Sequence, residues 1–199
     1  MEEALSLERL KQKVSQKYDY DEKRIVGIIF ARYDLPLTQE IINSCYSYWH
    51  MNTGKTINIF WAGYGKYIHP DAENEDKIIL KFAGNENNVY YDRSAFVSIK
   101  KEFNRIYKNA YQDRLQLILV NYYDGKLHFD ESIKIDLEDN LDPNFATIRE
   151  LMEFITNECE EKYDVVNLAR KLKGERIKDY IKGITFSDLI STAIGIAGL

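Results

Sequence analysis

Residues 24–65 read RIVGIIFARYDLPLTQEIINSCYSYWHMNTGKTINIFWAGYG and decide the fold. Ile25–Ala31 is apolar without alternation, which is typical of a strand covered on both faces, and Ile57–Ala62 repeats the pattern with Asn58 as its one interruption. Between them, apolar residues recur at helical spacing and predict one buried face, which comprises Ile41, Ile42, Cys45, Tyr48 and Trp49. The stretch therefore predicts two parallel strands joined by a crossover helix.

The rest of the chain is predicted to surround this unit with helices and further strands. Leu7, Leu10 and Val14 share one face of an amphipathic helix predicted over residues 3–17. Asp124-Gly125 is typical of a tight hairpin turn, so residues 126–129 should return antiparallel to a buried strand at 115–120. The other predicted elements are, in chain order, a hairpin of strands at 78–82 and 89–91, a helix capped by Asp92 or Ser94, an edge strand at 132–137, a helix that opens at Asp142-Pro143, and a further helical segment from Val165.

This order of elements indicates an α/β protein with a mixed β-sheet and a central βαβ unit flanked by helices. Without the first helix and the 78–91 insertion, the order resembles the thioredoxin-like fold, in topology alone. Redox members of that fold carry a CxxC motif at the start of the first crossover helix and a proline before the third strand. Here those places read Tyr33-Asp34-Leu35-Pro36 and Asp113-Arg114, so the resemblance implies the fold without the redox chemistry.

Length and composition limit the classes of protein to consider. A chain of 199 residues suits one domain with an appendage, and we expect an α/β domain over residues 1–163 and a helical C-terminal extension over 164–199. A hydrophobic content of 45% argues against intrinsic disorder. The formal net charge of −5 argues against general nucleic-acid binding, which needs a concentrated basic footprint.

The compartment is predicted from the cysteines and the N-terminus. Cys45 and Cys159 lie on apolar faces of different predicted helices and form no CxxC motif, which favours buried free thiols in a reducing compartment. Residues 1–13 are acidic and then mixed in charge, without the apolar core of a secretory signal. We therefore expect a cytoplasmic protein, bacterial in composition. An AT-rich coding sequence favours Tyr, Ile, Asn and Lys without any selection for binding, and it is the competing explanation for the abundance of tyrosine.

Candidate ligand-binding residues follow the two parallel strands, because open α/β sheets bind ligands at the carboxyl ends of such strands. They are Asp34 after the first strand and Gly63, Tyr64, Gly65 and Lys66 in a loop after the second. The competing interpretation is that the glycines only serve a tight turn, since no GxGxxG or Walker motif is present. The histidines His50, His69 and His128 stand apart in sequence, so we predict no metal site, and no motif indicates a cofactor or a catalytic residue.

Aromatic residues are abundant, with 15 Tyr and 2 Trp. Buried phenols need hydrogen-bond partners, so we expect part of this set on the surface, where Tyr and Trp are enriched at interface hot spots. The set considered is Tyr46, Tyr48, Trp49, Trp61, Tyr64, Tyr67, Tyr90, Tyr91, Tyr107, Tyr111, Tyr122 and Tyr123. The leading hypothesis is a non-catalytic interaction or sensing module of a multi-protein system, which binds a protein partner or a second copy of itself.

Two alternatives come from different functional classes. The first is a hydrolase or nucleotide-processing enzyme that uses Asp34 and Lys66 at the strand ends. The second is a membrane-associated protein that makes contact through its C-terminus. Convergence of Asp34, Lys66 and a histidine or second carboxylate in one pocket would favour the enzyme.

The C-terminus changes character after a basic stretch at residues 171–182. No charge follows Asp188, and the tail up to Leu199 is apolar and small. The predicted interaction residues are Leu189, Ile190, Ala193, Ile194 and Ala197. The tail is interpreted as a terminal helix docked on the domain, as an oligomerisation or partner-binding helix, or as the beginning of a longer hydrophobic segment.

The apolar positions of Cys45 and Cys159 lead to the first prediction. Replacing either residue with alanine should lower the free energy of unfolding, measured by urea denaturation, because packing is lost, and should leave function intact. A loss of function in a still-folded Cys45→Ser protein would contradict the assignment of these thiols to packing alone.

Overall fold

The structure is a computed structural model of the 199-residue chain. It describes residues 2–53, 56–67, 76–82, 88–106, 113–140, 142, 145–161, 164–174 and 183–187. The strands in this part of the chain are β1 (Glu2–Ala4), β2 (Arg24–Phe30), β3 (Asn58–Ala62), β4 (Tyr64–Lys66), β5 (Lys77–Leu80), β6 (Val89–Asp92), β7 (Gln116–Tyr123), β8 (Lys126–Asp136) and β9 (Ile184–Phe186). The α-helices are α1 (Leu7–Lys17), α2 (Pro36–Asn52), α3 (Arg93–Ile106), α4 (Ala146–Glu161) and α5 (Val165–Lys173).

A six-stranded mixed sheet with the order β1-β3-β2-β7-β8-β9 forms the centre of the fold. β2 and β3 pair in parallel and are joined by α2, which confirms the predicted βαβ unit. β7 pairs antiparallel with β2 and continues into β8 through the predicted turn. In that turn Asp124 and Gly125 have φ angles of 48° and 69°, as a type I′ hairpin requires. The α/β class and the mixed sheet are thus confirmed.

Helices cover both faces of this sheet because successive residues of a strand point to opposite sides. Phe30 of β2 packs against Phe103 of α3, with ring centroids 4.9 Å apart. On the other face, Trp61 of β3 lies 5.5 Å from Trp49 of α2. α1 contacts α3, and α4 packs against both α2 and α5. The core therefore has two layers, one on each side of the central strands.

A second, three-stranded antiparallel sheet has the order β4-β6-β5. The predicted hairpin of β5 and β6 is confirmed, with Ile79 opposite Tyr90. Residues 64–66, which we expected in a loop, instead form β4, with Tyr64 opposite Tyr91. The turn into β4 depends on Gly63, which has a φ of 81° and packs so closely that a Cβ atom would lie 2.6 Å from Phe96 Cβ.

Three other sequence predictions are corrected at element boundaries. Residues 3 and 4 were expected in the first helix but belong to β1, which is parallel to β3, and Glu2 and Glu3 of this strand pair with lysines of α1. The strand at 132–137 was expected at the sheet edge, but it is the second half of β8 and is covered by β9. The helix expected at Asp142 begins at Ala146, although the Asp142 carboxylate still accepts hydrogen bonds from the Ala146 and Thr147 backbone.

The C-terminal extension is described only in part. Ile184–Phe186, which follows the basic stretch, forms β9, whereas the predicted interaction residues at 189–197 lie outside the described residues. α5 packs against β7 and β8, and its Val165 and Leu168 belong to the core. The division at residue 163 stays a prediction, but α5 and β9 pack with the α/β domain.

Most aromatic residues of the set considered above are interior, which is the opposite of what a recognition surface needs. The buried members are Tyr46, Trp49, Trp61, Tyr64, Tyr90, Tyr91 and Tyr122. Tyr67 is exposed, and Tyr107 and Tyr111 lie outside the described residues. The described aromatic residues therefore build a core, and they do not support assembly through exposed aromatic side chains.

Both cysteines are buried free thiols, as predicted. Burial raises the pKa of Cys159 to about 12, and the Glu158 carboxylate contributes to the increase. Burial also raises the pKa of Cys45. Neither group forms a reactive thiolate near neutral pH in this environment.

The close contact of Gly63 with α3 generates a stability prediction. Gly63→Ala should lower the free energy of unfolding by about 2–4 kcal/mol in urea denaturation. Alanine is strained in the left-handed backbone conformation of this position, and its methyl group would clash with Phe96. The matched control is Gly125→Asn, since Gly125 also has a positive φ but faces the ring of exposed Tyr20. Asn tolerates this conformation, so the control should cost less than about 1 kcal/mol. Equal losses in the two variants would contradict the role assigned to the Gly63 contact.

Candidate functional site

Charged side chains meet at the carboxyl end of β2, which is the end of the strands where the sequence predicts ligand-binding residues. Arg32 and Asp34 follow β2 and precede α2. β7 runs antiparallel to β2, with Gln116 opposite Phe30. Asp113, which precedes β7 in the chain, therefore lies at the same end of the strands. Arg93, the first residue of α3, completes the approach from the side of the small sheet. The carboxyl end of a strand in a parallel pair is a common ligand position in α/β proteins.

Asp34 is held by two arginines. Arg32 donates hydrogen bonds from Nε to Oδ1 at 3.2 Å and from Nη2 to Oδ2 at 2.8 Å, which is the bidentate fork geometry. Arg93 Nη2 lies 3.3 Å from Oδ2 of the same carboxylate. The Asp34 side chain is only 12% exposed. Its charge is thus neutralised and largely shielded from solvent.

The second carboxylate at this end of the strands belongs to Asp113, which has a left-handed φ of 54°. Lys100 Nζ of α3 lies 2.8 Å from Asp113 Oδ1, and Arg32 Nη1 lies 3.5 Å from the same oxygen. Arg32 thereby bridges the two carboxylates. We call Arg32, Asp34, Arg93, Lys100 and Asp113 the Asp34 cluster; it ties the end of β2 to α3 and to the approach to β7.

The ion pairs set the protonation states within the cluster. The hydrogen bonds from Arg32 hold the pKa of Asp34 below its usual range, although partial burial opposes them. The pKa of Asp113 is lowered chiefly by its hydrogen bond with Lys100. Because a general base works best with a pKa near the ambient pH, these carboxylates are poorly matched to proton abstraction at neutral pH. In this conformation the cluster acts as a structural clamp.

Tyr91 adds an unusual polar group beside the cluster. It is fully buried, and its hydroxyl has no hydrogen-bond partner among the described residues. Burial raises its pKa, and the nearby Asp34 carboxylate raises it further. The hydroxyl therefore stays protonated, with an unused donor next to an ion-paired carboxylate.

The structure does not bring Lys66 to Asp34. Lys66 ends β4, where its backbone N donates to Glu3 Oε2 at 3.0 Å. Burial raises the pKa of Glu2 and of Glu3, but the paired lysines of α1 lower it and the Lys66 ammonium lowers it further. The cations that lower the pKa of Asp34 are instead Arg32 and Arg93. The shared pocket that would favour the enzyme alternative is thus not formed by these two side chains.

The other predicted site residues have structural contacts. The Tyr64 hydroxyl donates to the backbone oxygen of Ala31 at 3.0 Å, which fixes the chain just before Arg32. A Cβ on Gly65 would lie 2.3 Å from the ring of Tyr90, so this glycine lets the aromatic ring pack closely against the backbone of β4. Ligand binding by Asp34, Gly63, Tyr64, Gly65 and Lys66 stays a prediction.

Metal binding was not predicted, and within the described ranges no group of three or more His, Cys, Asp or Glu side chains could hold a metal ion. His128 stacks on Tyr123 with ring centroids 3.5 Å apart, and His50 stacks on Tyr46 at 5.8 Å. His69 lies outside the described residues. The two described histidines therefore contact aromatic rings.

A second candidate site lies at the opposite end of the central strands, and no sequence pattern predicts it. It is a cleft of about 550 Å³ between α1 and the β7–β8 hairpin, which we call the α1–hairpin cleft. Its lining residues are Glu8, Lys11, Gln12, Val14, Ser15, Tyr122, Gly125, Lys126, Leu127 and Phe129. The amphipathic pattern of α1 and the Asp124-Gly125 turn signal predict both elements, but no local pattern indicates that the two elements leave a gap between them.

Comparisons with known proteins add no identification. No protein-family model matches this chain, and no curated protein or solved structure matches it. The thioredoxin-like name consequently stays a resemblance in the order of elements. Along the part of the chain that the structure describes, no helix combines the length and the apolar character needed to cross a bilayer.

The Asp34 ion pairs generate a prediction with a defined pH dependence. Asp34→Asn should lower the free energy of unfolding by about 1–2 kcal/mol at pH 7, because the two arginines lose their charged partner. A lowered carboxyl pKa stabilises the fold above the unfolded-state pKa, and this contribution disappears as the pH falls through the folded-state pKa. The difference between the proteins should therefore shrink as the pH falls from about 5 to below 4.

Urea denaturation at a series of pH values measures this effect. The matched control is Asp113→Asn, because the Asp113 side chain is 51% exposed and its pairs should contribute less than about 1 kcal/mol. A difference between Asp34→Asn and the parent protein that stays constant from pH 7 to pH 3 would show that the ionised carboxylate does not stabilise the fold.

Proposed function

We propose that this protein is a non-catalytic sensing or interaction module of the cytoplasm that works within a multi-protein system and binds its ligand in the α1–hairpin cleft. The supporting observation is the cleft itself. Its volume of about 550 Å³ lies within the range of roughly 300–1,000 Å³ that is typical of small-ligand sites. Its lining combines apolar side chains with a few polar and charged ones, as recognition sites do.

The contrast between the two ends of the central strands favours this proposal over the enzyme alternative. At the carboxyl end of β2, both carboxylates of the Asp34 cluster are engaged by cations. At the opposite end of the strands, Lys11, Lys126 and Glu8 line the cleft, and none of them forms an ion pair with another described residue. Groups that are not used to hold the fold are available to a ligand, so the cleft is the better binding site.

Assembly with a protein partner or a second copy of the chain remains part of the proposal. The residues predicted to mediate it, Leu189, Ile190, Ala193, Ile194 and Ala197, lie outside the described part of the chain. The same holds for membrane contact through the C-terminus, which stays an alternative. The cleft supplies a recognition site that depends on neither.

The proposal is tested by mapping where small probes bind to the folded chain. Nitrogen-15-labelled protein is titrated with indole, phenol, benzoate and benzylamine, and amide shifts are followed by NMR. The shift changes should gather in residues 8–15 and 122–129. Ser15→Trp should abolish them, because Ser15 lines the cleft and is exposed on α1, so a larger side chain can fill the space without disturbing the core.

The matched control is Gln16→Trp, which places the same side chain one residue along α1, outside this cleft. It should leave the probe response unchanged. Shift changes that gather instead around Arg32, Asp34 and Arg93 would contradict the proposal and favour a ligand site at the strand ends.

A further inference from the structure

We infer that the α1–hairpin cleft binds a small amphipathic anion, in which a carboxylate is attached to an acyl or aromatic body. This inference rests on the proposed function, because it names the class of ligand for the same cleft. It is carried by the apolar side chains in the lining, by the lysines beside them and by the way charges are paired along α1.

The apolar part of the lining is preformed. Tyr122 and Leu127 are a cross-strand pair of the β7–β8 hairpin, and Phe129 follows Leu127 on the same face of β8. Val14 of α1 approaches them from the helix side. Tyr122, Phe129 and Val14 are all at least nine-tenths buried. Since neighbouring elements fix these side chains, a ligand's apolar body can bind without reordering them.

Two contacts hold the aromatic side chains in place. Phe129 meets Phe103 of α3 edge-on, with ring centroids 5.6 Å apart. The Tyr122 hydroxyl donates to the backbone oxygen of Tyr18 at 3.2 Å. The polar atom of Tyr122 is thus already satisfied, and its buried ring forms part of the wall of the cleft.

The charged groups of the cleft are Lys11, Lys126 and Glu8, a net charge of +1 on a protein whose formal net charge is −5. The Lys11 ammonium lies 6.0 Å from the centre of the Phe129 ring, at the outer limit of a cation–π contact. It therefore lies over the apolar part of the cleft without a strong partner. An anion bound there would gain a charged hydrogen-bond donor beside an apolar surface.

The lysines of α1 are divided by their position around the helix. Lys13 and Lys17 face β1 and form ion pairs with Glu3 and Glu2. Lys11 faces the cleft, and no ion pair joins it to the residues that the structure describes. Lys13 and Lys17 thus have carboxylate partners within this chain, whereas the Lys11 ammonium has none among the described residues and can pair with an anionic ligand.

The charge selectivity of binding tests the inference. The full-length chain is titrated with decanoate and 1-naphthoate, and with decan-1-ol and decylammonium as neutral and cationic counterparts, below their aggregation concentrations. Dissociation constants are taken from NMR shifts of residues 8–15 and 122–129. At least one carboxylate should bind in the cleft about tenfold or more tighter than the alcohol and the ammonium compound. Binding of decanoate alone would identify an acyl ligand, and binding of 1-naphthoate alone an aromatic one.

A charge-removing variant separates the anion contact from apolar burial. Lys11→Gln combined with Lys126→Gln should abolish the preference for carboxylates and leave binding of decan-1-ol unchanged. The matched control is Lys101→Gln, which removes one exposed positive charge from α3 outside the cleft, and it should keep the preference. Retention of the preference in the double variant would overturn the inference.

The outcomes also separate this inference from the proposed function. If decan-1-ol or decylammonium binds in the cleft at least as tightly as the carboxylates, the anion assignment is wrong and the cleft stands as a binding site. If none of the four compounds perturbs the cleft, the anion assignment is also wrong. The proposed function falls with it only if the probe mapping described above also finds its shift changes at another site.

Discussion

The packing of Tyr64 and Tyr91 between Trp61 and Phe96 is the interaction on which the rest of the structure depends. Ring centroids along this series lie 5.4, 5.2 and 5.8 Å apart. The series joins β3 of the main sheet to β4 and β6 of the small sheet and then to α3. Because the Tyr64 hydroxyl also holds the Ala31 carbonyl, the junction fixes where β2 ends and where Arg32 begins the Asp34 cluster.

This junction leaves the Tyr91 hydroxyl buried without a partner among the described residues. An unsatisfied buried hydroxyl typically costs about 1–3 kcal/mol. The aromatic contacts of the Tyr91 ring offset a cost of this size, since its large apolar surface is fully buried against Tyr64 and Phe96. The ion pairs of Asp34 stabilise the same corner, so packing and charge together hold the small sheet and α3 against the end of β2.

The parts of the fold that the sequence predicted have strong local patterns. The β2-α2-β3 unit has two apolar runs and a helical face, and Asp124-Gly125 specifies its turn by backbone conformation alone. β1, β4 and β9 have three residues each, too few to show an alternation, and their positions come from pairing with distant strands. Asp34 was correctly placed at a strand end, but its engagement by Arg93 depends on how α3 packs, which no local pattern specifies.

The two ends of the central strands use charge differently, and the proposed ligand site follows from this difference. At the end of β2, arginines and carboxylates neutralise one another, and the resulting clamp stabilises three elements. Where β7 turns into β8, Lys11 and Lys126 lie beside Phe129 and Leu127 without a carboxylate partner in the described part of the chain. Self-contained pairs stabilise a fold but leave nothing for a ligand to satisfy. Unpaired charge beside preformed apolar surface contributes little to folding, and a ligand of complementary charge can therefore use it for affinity and selectivity.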